Sequence, residues 1–289
     1  MIKSEKINSK PTIEKDLILH YSKNQYSDTM VFENITHQNR YLAFCTPEQY
    51  QEQTNIMIQT QMLISNKNYI IFSYLHLMLA GLYFIKNPLK ILLIGLGGGT
   101  IARALNNLLP DSELDIVEIN PNVKDIAIKY FNYQPNQRTK IYIEDAVKFI
   151  NDNKKYDLII NDLVEGSSGK KGFSQEKNFI QNLHASLNGN GVLVTSNYDN
   201  NNECLLKTNI KNIFNNFFEL DVNEELDSNE ADYHSIIITI NSTNIIKKET
   251  IKQNMRYWRE KFKDLGIRRR YILDRLSKAL NKNSMGSLY

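Results

Sequence analysis

Apolar residues gather along this chain in two kinds of run. In roughly the first quarter they form short, unevenly alternating stretches, LILHYS, TMVFENI and NRYLAF, then a segment from Asn55 to Ile64, all separated by turn formers. Such runs predict short strands in hairpins or a small sheet. Thr46-Pro47-Glu48 and Ser65 to Asn68 read as turns. Phe72 to Phe84 reads as one long apolar helix, stopped by Asn87-Pro88. Beyond it the period switches back and forth. Strands are predicted at Ile91–Gly95, Leu114–Ile119, Lys140–Ile143, Tyr156–Ile160, Gly191–Ser196 and Ser235–Ile240. Between them come helices at Thr100–Leu109, Asn122–Phe131, Ala146–Asn151, Gln175–Leu187 and Leu205–Phe217. Pro121 sits in the first turn of its helix, where a missing N–H costs nothing. From Lys247 onward the chain is helical and basic, with RRRYILDRLSKAL as its clearest piece.

Strand-helix alternation predicts a doubly wound α/β sheet. Strands as continuously apolar as ILLIG and YDLII predict burial on both faces. The division expected is an N-terminal arm and small β domain at 1–68, a nucleoside-binding domain at 69–246 and C-terminal basic helices at 247–289. The 42% hydrophobic content of the 289 residues supports a sizeable core, and a net charge of +3 argues for neither nucleic acid nor membrane partners. Two cysteines far apart in sequence fit a reducing, cytoplasmic setting. No apolar h-region follows the charged N-terminus, and no apolar run reaches membrane-spanning length. Histidines and cysteines lack metal-ligand spacing, so no metal is expected.

The candidate chemistry lies at the ends of the predicted strands. Gly95, Gly97, Gly98 and Gly99 allow a sharp turn and close approach to a ligand, and the following helix turns its free N–H groups toward the same space. Thr100-Ile101 stands where a phosphate loop would place Lys and then Ser or Thr, which argues against a P-loop. Glu118 ends the second strand, where a carboxylate accepts from ribose hydroxyls. Glu144 and Asp145 end the third strand, in reach of an adenine amino group, and Asp162 ends the fourth. Three acidic strand ends suit an adenosine carrying a cationic sulfur and would repel a pyrophosphate. The Gly- and Ser-rich stretch Glu165 to Gly172 reads as a lid. Tyr74 and His76 are candidate ligand contacts, although His76, in an apolar helix, also reads as a core histidine. The basic tail reads as the solvated face of a helix packed through Tyr271, Ile272, Leu273, Leu276 and Leu280.

The segments ILLIGLGGGTIARAL, LDIVEINPNVKDIAIKYF, IYIEDAVKFI and YDLIINDLVEG, with GVLVTSN after them, resemble the spermidine synthase (polyamine aminopropyltransferase) family. ENITHQNRYLAF, EQTNIMI and YLHLMLAGLYF extend the likeness toward the N-terminus. The resemblance implies a Rossmann-like sheet of the S-adenosylmethionine methyltransferase type with a small N-terminal β domain. It implies transfer of an aminopropyl group from decarboxylated S-adenosylmethionine, a donor substrate rather than a tightly bound cofactor, to a diamine such as putrescine. It further implies that Glu118 binds the ribose, Asp145 the adenine, Gln53 the substrates, and that Asp162 is the catalytic carboxylate. A homodimer or higher homo-oligomer is implied as well. The chain departs from the family where Leu163-Val164-Glu165-Gly166 replaces a Ser/Thr and Asp-Pro element, and where Tyr74-Leu75-His76 replaces Tyr-His-Glu. Glu165 is a candidate replacement charge for the amine acceptor. Two alternatives stand beside this reading: an S-adenosylmethionine-dependent methyltransferase of small molecules, and a non-catalytic descendant binding a nucleoside or a protein.

Overall fold

A computed structural model describes residues 16–150, 153–163, 175–198, 204–222, 234–244 and 246–283. Two sheets organise it. The first is a four-stranded antiparallel meander of β1 (Asp16–Lys23), β2 (Asp28–Asn34), β3 (Asn39–Phe44) and β4 (Met57–Leu63). Thr46 caps the short helix α1 (Pro47–Gln51) before β4: its hydroxyl accepts from Gln49 N–H, and the Gln49 side chain accepts from Thr46 N–H.

The second sheet has seven strands in the order β10-β11-β9-β8-β5-β6-β7. Its members are β5 (Lys90–Ile94), β6 (Glu113–Glu118), β7 (Thr139–Ile143), β8 (Tyr156–Asn161), β9 (Leu187–Asn197), β10 (Asn216–Asp221) and β11 (Ser235–Ile240). β5 pairs parallel with both β6 and β8, so the chain reverses its direction of winding there. β11 runs antiparallel between β9 and β10. Both faces are covered, as the apolar strands predict. Ile91, Leu93, Leu158 and Ile160 pack into a core shared with α2 (Ser73–Leu79), α3 (Thr100–Leu108), α8 (Lys248–Trp258) and α9 (Arg269–Lys282). Leu92, Ile94, Ile159 and Leu193 face α5 (Ala146–Phe149), α6 (Lys177–Ala185) and α7 (Leu205–Ile213).

Several predicted boundaries shift. The helix predicted from Leu205 to Phe217 ends at Ile213, and Asn216–Asp221 forms the edge strand β10, a strand the pattern concealed because aromatic Phe217 and Phe218 fit either period. β9 starts at Leu187 rather than Gly191, so the preceding helix stops at Ala185. The long apolar helix tightens into a 3-10 turn at Ala80–Tyr83, where a Cβ on Gly81 would lie 2.4 Å from Val194. The basic tail packs as expected: Tyr271, Ile272, Leu276 and Leu280 are buried, with Leu273 partly so. Arg268 and Arg275 lie over the Tyr271 ring. Among the described residues no helix is long and apolar enough to cross a membrane.

Candidate active site

A cavity of about 1130 Å³ opens beyond the carboxyl ends of β5, β6, β7 and β8, at the switch point of the parallel sheet, with the small sheet as its roof. Gly95, Gly97, Glu118, Glu144, Asp145, Asp162 and Tyr74 all line it. Gly95 has φ +90, and a Cβ there would lie 2.7 Å from the carbonyl oxygen of Asp162, so only glycine lets the two strand ends sit side by side.

Gly98 and Gly99 do a different job from the one the sequence suggests. They are absent from the cavity wall and serve packing. A Cβ on Gly98 would meet Thr60 Cγ2 at 2.6 Å and the Phe131 ring at 3.0 Å; one on Gly99 would meet Tyr133 at 2.7 Å. Thr60 Oγ1, on β4, accepts from Gly98 N–H at 2.8 Å, so the small sheet is bonded directly to the glycine turn.

Glu118 is 9% exposed and accepts from Leu96 N–H at 3.0 Å through one oxygen and from Asn120 N–H at 2.9 Å through the other. Burial raises its pKa, opposed by N–H donors from Asn120, Leu96 and Ile119. The carboxylate is thus fixed in orientation, with lone pairs left for a diol. Asp145 caps α5 by accepting from Val147 N–H at 2.8 Å. Ile119, 42% exposed beside Glu118, gives the cavity an apolar face wide enough for a base.

Asp162 lies between two hydroxyl donors. Tyr74 OH donates to its carboxylate, and Ser196 Oγ donates to Oδ1 at 3.4 Å. Burial raises its pKa to about 6, with both hydroxyls pulling the other way. Such a group is ionised at neutral pH and still basic enough to take a proton.

Two predicted contacts lie elsewhere. His76 is a core histidine: one ring nitrogen meets Ile70 O at 3.0 Å and the other accepts from Arg268 N–H at 2.8 Å, which ties α2 to the start of α9. Burial lowers its pKa to about 4, so it stays neutral there. Gln53, at φ +54, turns its amide onto Tyr50 O at 2.8 Å and does not line the cavity; Gln49 and Gln59 do. Glu165 and the predicted lid lie outside the described residues. Sequence reasoning missed the roof, Tyr26, Asp28, Gln59 and Thr60, and also Ser196 behind Asp162. Nothing in local pattern marks these positions, because they reach the site only through packing of one sheet on the other. Asn120 was within reach, being two residues past Glu118; its Oδ1 caps α4 (Pro121–Tyr130) by accepting from Asn122 N–H at 3.1 Å and accepts from Asn24 on the roof at 2.7 Å.

The strand order, glycine turn and acidic strand ends define an α/β protein of the S-adenosylmethionine-methyltransferase and spermidine-synthase fold class. The Spermine/spermidine synthase domain model matches residues 73–226, more than half of the chain. The chain belongs to the spermine/spermidine synthase family. A polyamine aminopropyltransferase of Vibrio vulnificus is 35% identical over 192 residues, which cover 65% of this chain and 61% of that protein. An eEF1A lysine and N-terminal methyltransferase of Xenopus laevis is 31% identical over 180 residues, covering 56% of this chain and 26% of that protein. The chain thus matches about three-fifths of the first relative's length and a quarter of the second's. Among solved structures, a probable spermidine synthase from Corynebacterium glutamicum aligns with a TM-score of 0.64 at 17% identity, over 82% of this chain and 86% of that one. Human methyltransferase-like protein 13 in complex with SAH aligns at 0.57 and 19% identity, over 67% and 93%. At these identities the structural matches establish the fold.

Proposed function

We propose that this chain is an aminopropyltransferase that moves the aminopropyl group of decarboxylated S-adenosylmethionine to a small amine such as putrescine. One observation carries the reading: among the described residues lining the cavity there are five carboxylates, Asp28, Glu118, Glu144, Asp145 and Asp162, and no Lys, Arg or His. Both substrates of that reaction are cations without a carboxylate. A unit charge about 4 Å from a carboxylate gains about 4 kcal/mol at an effective dielectric near 20, and a donor that kept its methionine carboxylate would lose a comparable amount.

In this scheme Glu118 accepts from the ribose hydroxyls, Asp145 from the adenine amino group, and Ile119 supports the base. The amine nitrogen attacks the carbon bonded to the sulfonium. The C–N bond forms as the C–S bond breaks, the bonding pair stays on sulfur, and neutral methylthioadenosine leaves. Asp162 orients the amine by accepting its N–H and takes the proton that the product nitrogen sheds. Tyr74 and Ser196 hold the carboxylate in line.

The 31% identity to a methyltransferase that acts on lysine and N-terminal amines supports a second reading, methyl transfer to an amine at the same carboxylate. One assay separates the two. Purified protein is incubated with putrescine and either decarboxylated or intact S-adenosylmethionine, and both possible nucleoside products are measured. Methylthioadenosine formed only from the decarboxylated donor, and lost in Asp162→Asn, supports aminopropyl transfer. S-adenosylhomocysteine from the intact donor supports the second reading, and neither product from either donor overturns the first.

A further inference from the structure

The wall behind Asp162 holds a group that the scheme above leaves idle. His234, immediately before β11, is sandwiched between two tyrosine rings: Tyr198 lies 4.2 Å away in a parallel stack, with an interplanar angle of 18°, and Tyr74 lies 5.1 Å away, tilted by 47°. The three rings come from three separate elements, α2, the end of β9 and the start of β11. Both tyrosines belong to the Asp162 cluster. Tyr74 OH donates to the carboxylate, and the Tyr198 hydroxyl bonds Ser196, which itself donates to Asp162. The imidazole therefore sits one ring layer from the carboxylate.

Its Nε2 atom is buried and has no hydrogen-bond partner. Buried polar atoms are almost always paired, and an orphan beside a substrate cavity marks the place of a missing partner. Burial also keeps the ring neutral, with a pKa lowered to about 4, so one of its nitrogens is an acceptor. An attacking amine has more than one N–H to place. Asp162 takes one of them and no other acceptor has been assigned to the rest.

We propose that His234 is an acceptor-binding residue, its Nε2 receiving a second N–H of the incoming amine beside Asp162, with the Tyr198–His234–Tyr74 stack as the wall that aims it. This rests on the aminopropyltransferase reading and specifies how its acceptor half selects a primary amine. Two hydrogen-bond acceptors that converge on one nitrogen prefer a primary to a secondary amine, which has one N–H fewer to offer.

The test compares His234→Phe, which keeps a stacking ring and removes the nitrogen, with His234→Gln, which keeps an acceptor. Steady-state kinetics are run with putrescine and with N-methylputrescine. His234→Phe is expected to raise the KM for putrescine about tenfold while the donor KM stays within twofold, and to narrow the preference for the primary end over the methylated end; His234→Gln recovers part of the loss. An unchanged putrescine KM in His234→Phe, or donor and acceptor KM rising together, overturns the assignment while leaving the aminopropyltransferase reading intact. Wild-type protein that turns over no amine overturns both. Should His234→Phe fail to fold, wild-type protein labelled with 15N-histidine provides the readout. Putrescine added to the methylthioadenosine complex is expected to shift the Nε2 resonance of His234, assigned from His234→Gln, and a resonance that does not move rejects the contact.

Discussion

Replacing Asp162 with Asn should stabilise the protein while abolishing its proposed chemistry. The Asp162 carboxyl moves from an ordinary pKa of 3.8 to about 6 on folding, and burial is the dominant cause. A carboxyl with a raised folded-state pKa binds its proton more tightly in the native state than in the unfolded one. It therefore costs stability once pH exceeds 3.8, and the full cost is reached above about 6. A shift of about two units at 1.36 kcal/mol each is about 3 kcal/mol at pH 8. Asn removes that charge and keeps an oxygen to accept from Tyr74 and Ser196, so the hydroxyls are not orphaned. For a chain of 289 residues, an unfolding entropy of about 2.1 cal/mol/K per residue converts 3 kcal/mol into a rise of about 5 °C in Tm. Thermal melts of parent and variant at pH 8 and pH 5 measure this, and the gain at pH 5 should be about half that at pH 8. A variant less stable than the parent at pH 8, or a gain that does not change between the two pH values, would refute the argument that Asp162 is held ionised against its desolvation.

Other consequences follow from the same geometry. If Asp162 receives the amine's proton, kcat/KM measured at saturating donor should fall on the acid side through an apparent pKa near 6, and Asp162→Asn should lose that limb along with its activity. Glu118→Gln keeps the shape but turns an amide NH2 toward one of two backbone N–H groups, so methylthioadenosine affinity, measured by isothermal titration, should drop about tenfold or more. Gly98→Ala forces a Cβ to 2.6 Å from Thr60 and 3.0 Å from Phe131, and should cost about 1–3 kcal/mol in denaturant melts. Thr60→Val removes the acceptor of the buried Gly98 N–H and should cost a similar amount, on the order of 1–3 kcal/mol, without touching any residue at the strand ends.

The donor half of the site was legible because each of its parts lies within one strand-turn-helix unit. The Gly95 turn, Glu118, Asp145 and Asp162 all sit at strand ends that apolar runs announce, and the parallel sheet brings such ends to one edge as a matter of topology. What glycine means at each position was less legible. Gly95 is glycine because of the Asp162 carbonyl, whereas Gly98 and Gly99 are glycine because of Thr60 and Tyr133. Residue type alone does not distinguish ligand access from backbone packing.

Tertiary structure alone decided which glutamines and which histidine reach the cavity region. Gln53 and Gln59 lie six positions apart in the same polar stretch; a positive φ turns the first back onto Tyr50, and the pleat of β4 directs the second into the cavity. His76 looked like a site residue because it follows Tyr74 closely, yet a helix sends residues two apart to different faces, and α9 consumes its ring nitrogens. His234 lacked any such cue and stands in the Asp162 cluster because β11 turns antiparallel beside β9. The sequence by itself determined the parallel sheet and the carboxylates at its edge, since local periodicity and strand-end position suffice for both. The roof, the Thr60 clamp and the ring stack behind Asp162 depend on contacts between segments far apart in the chain, and only packing in three dimensions decides those.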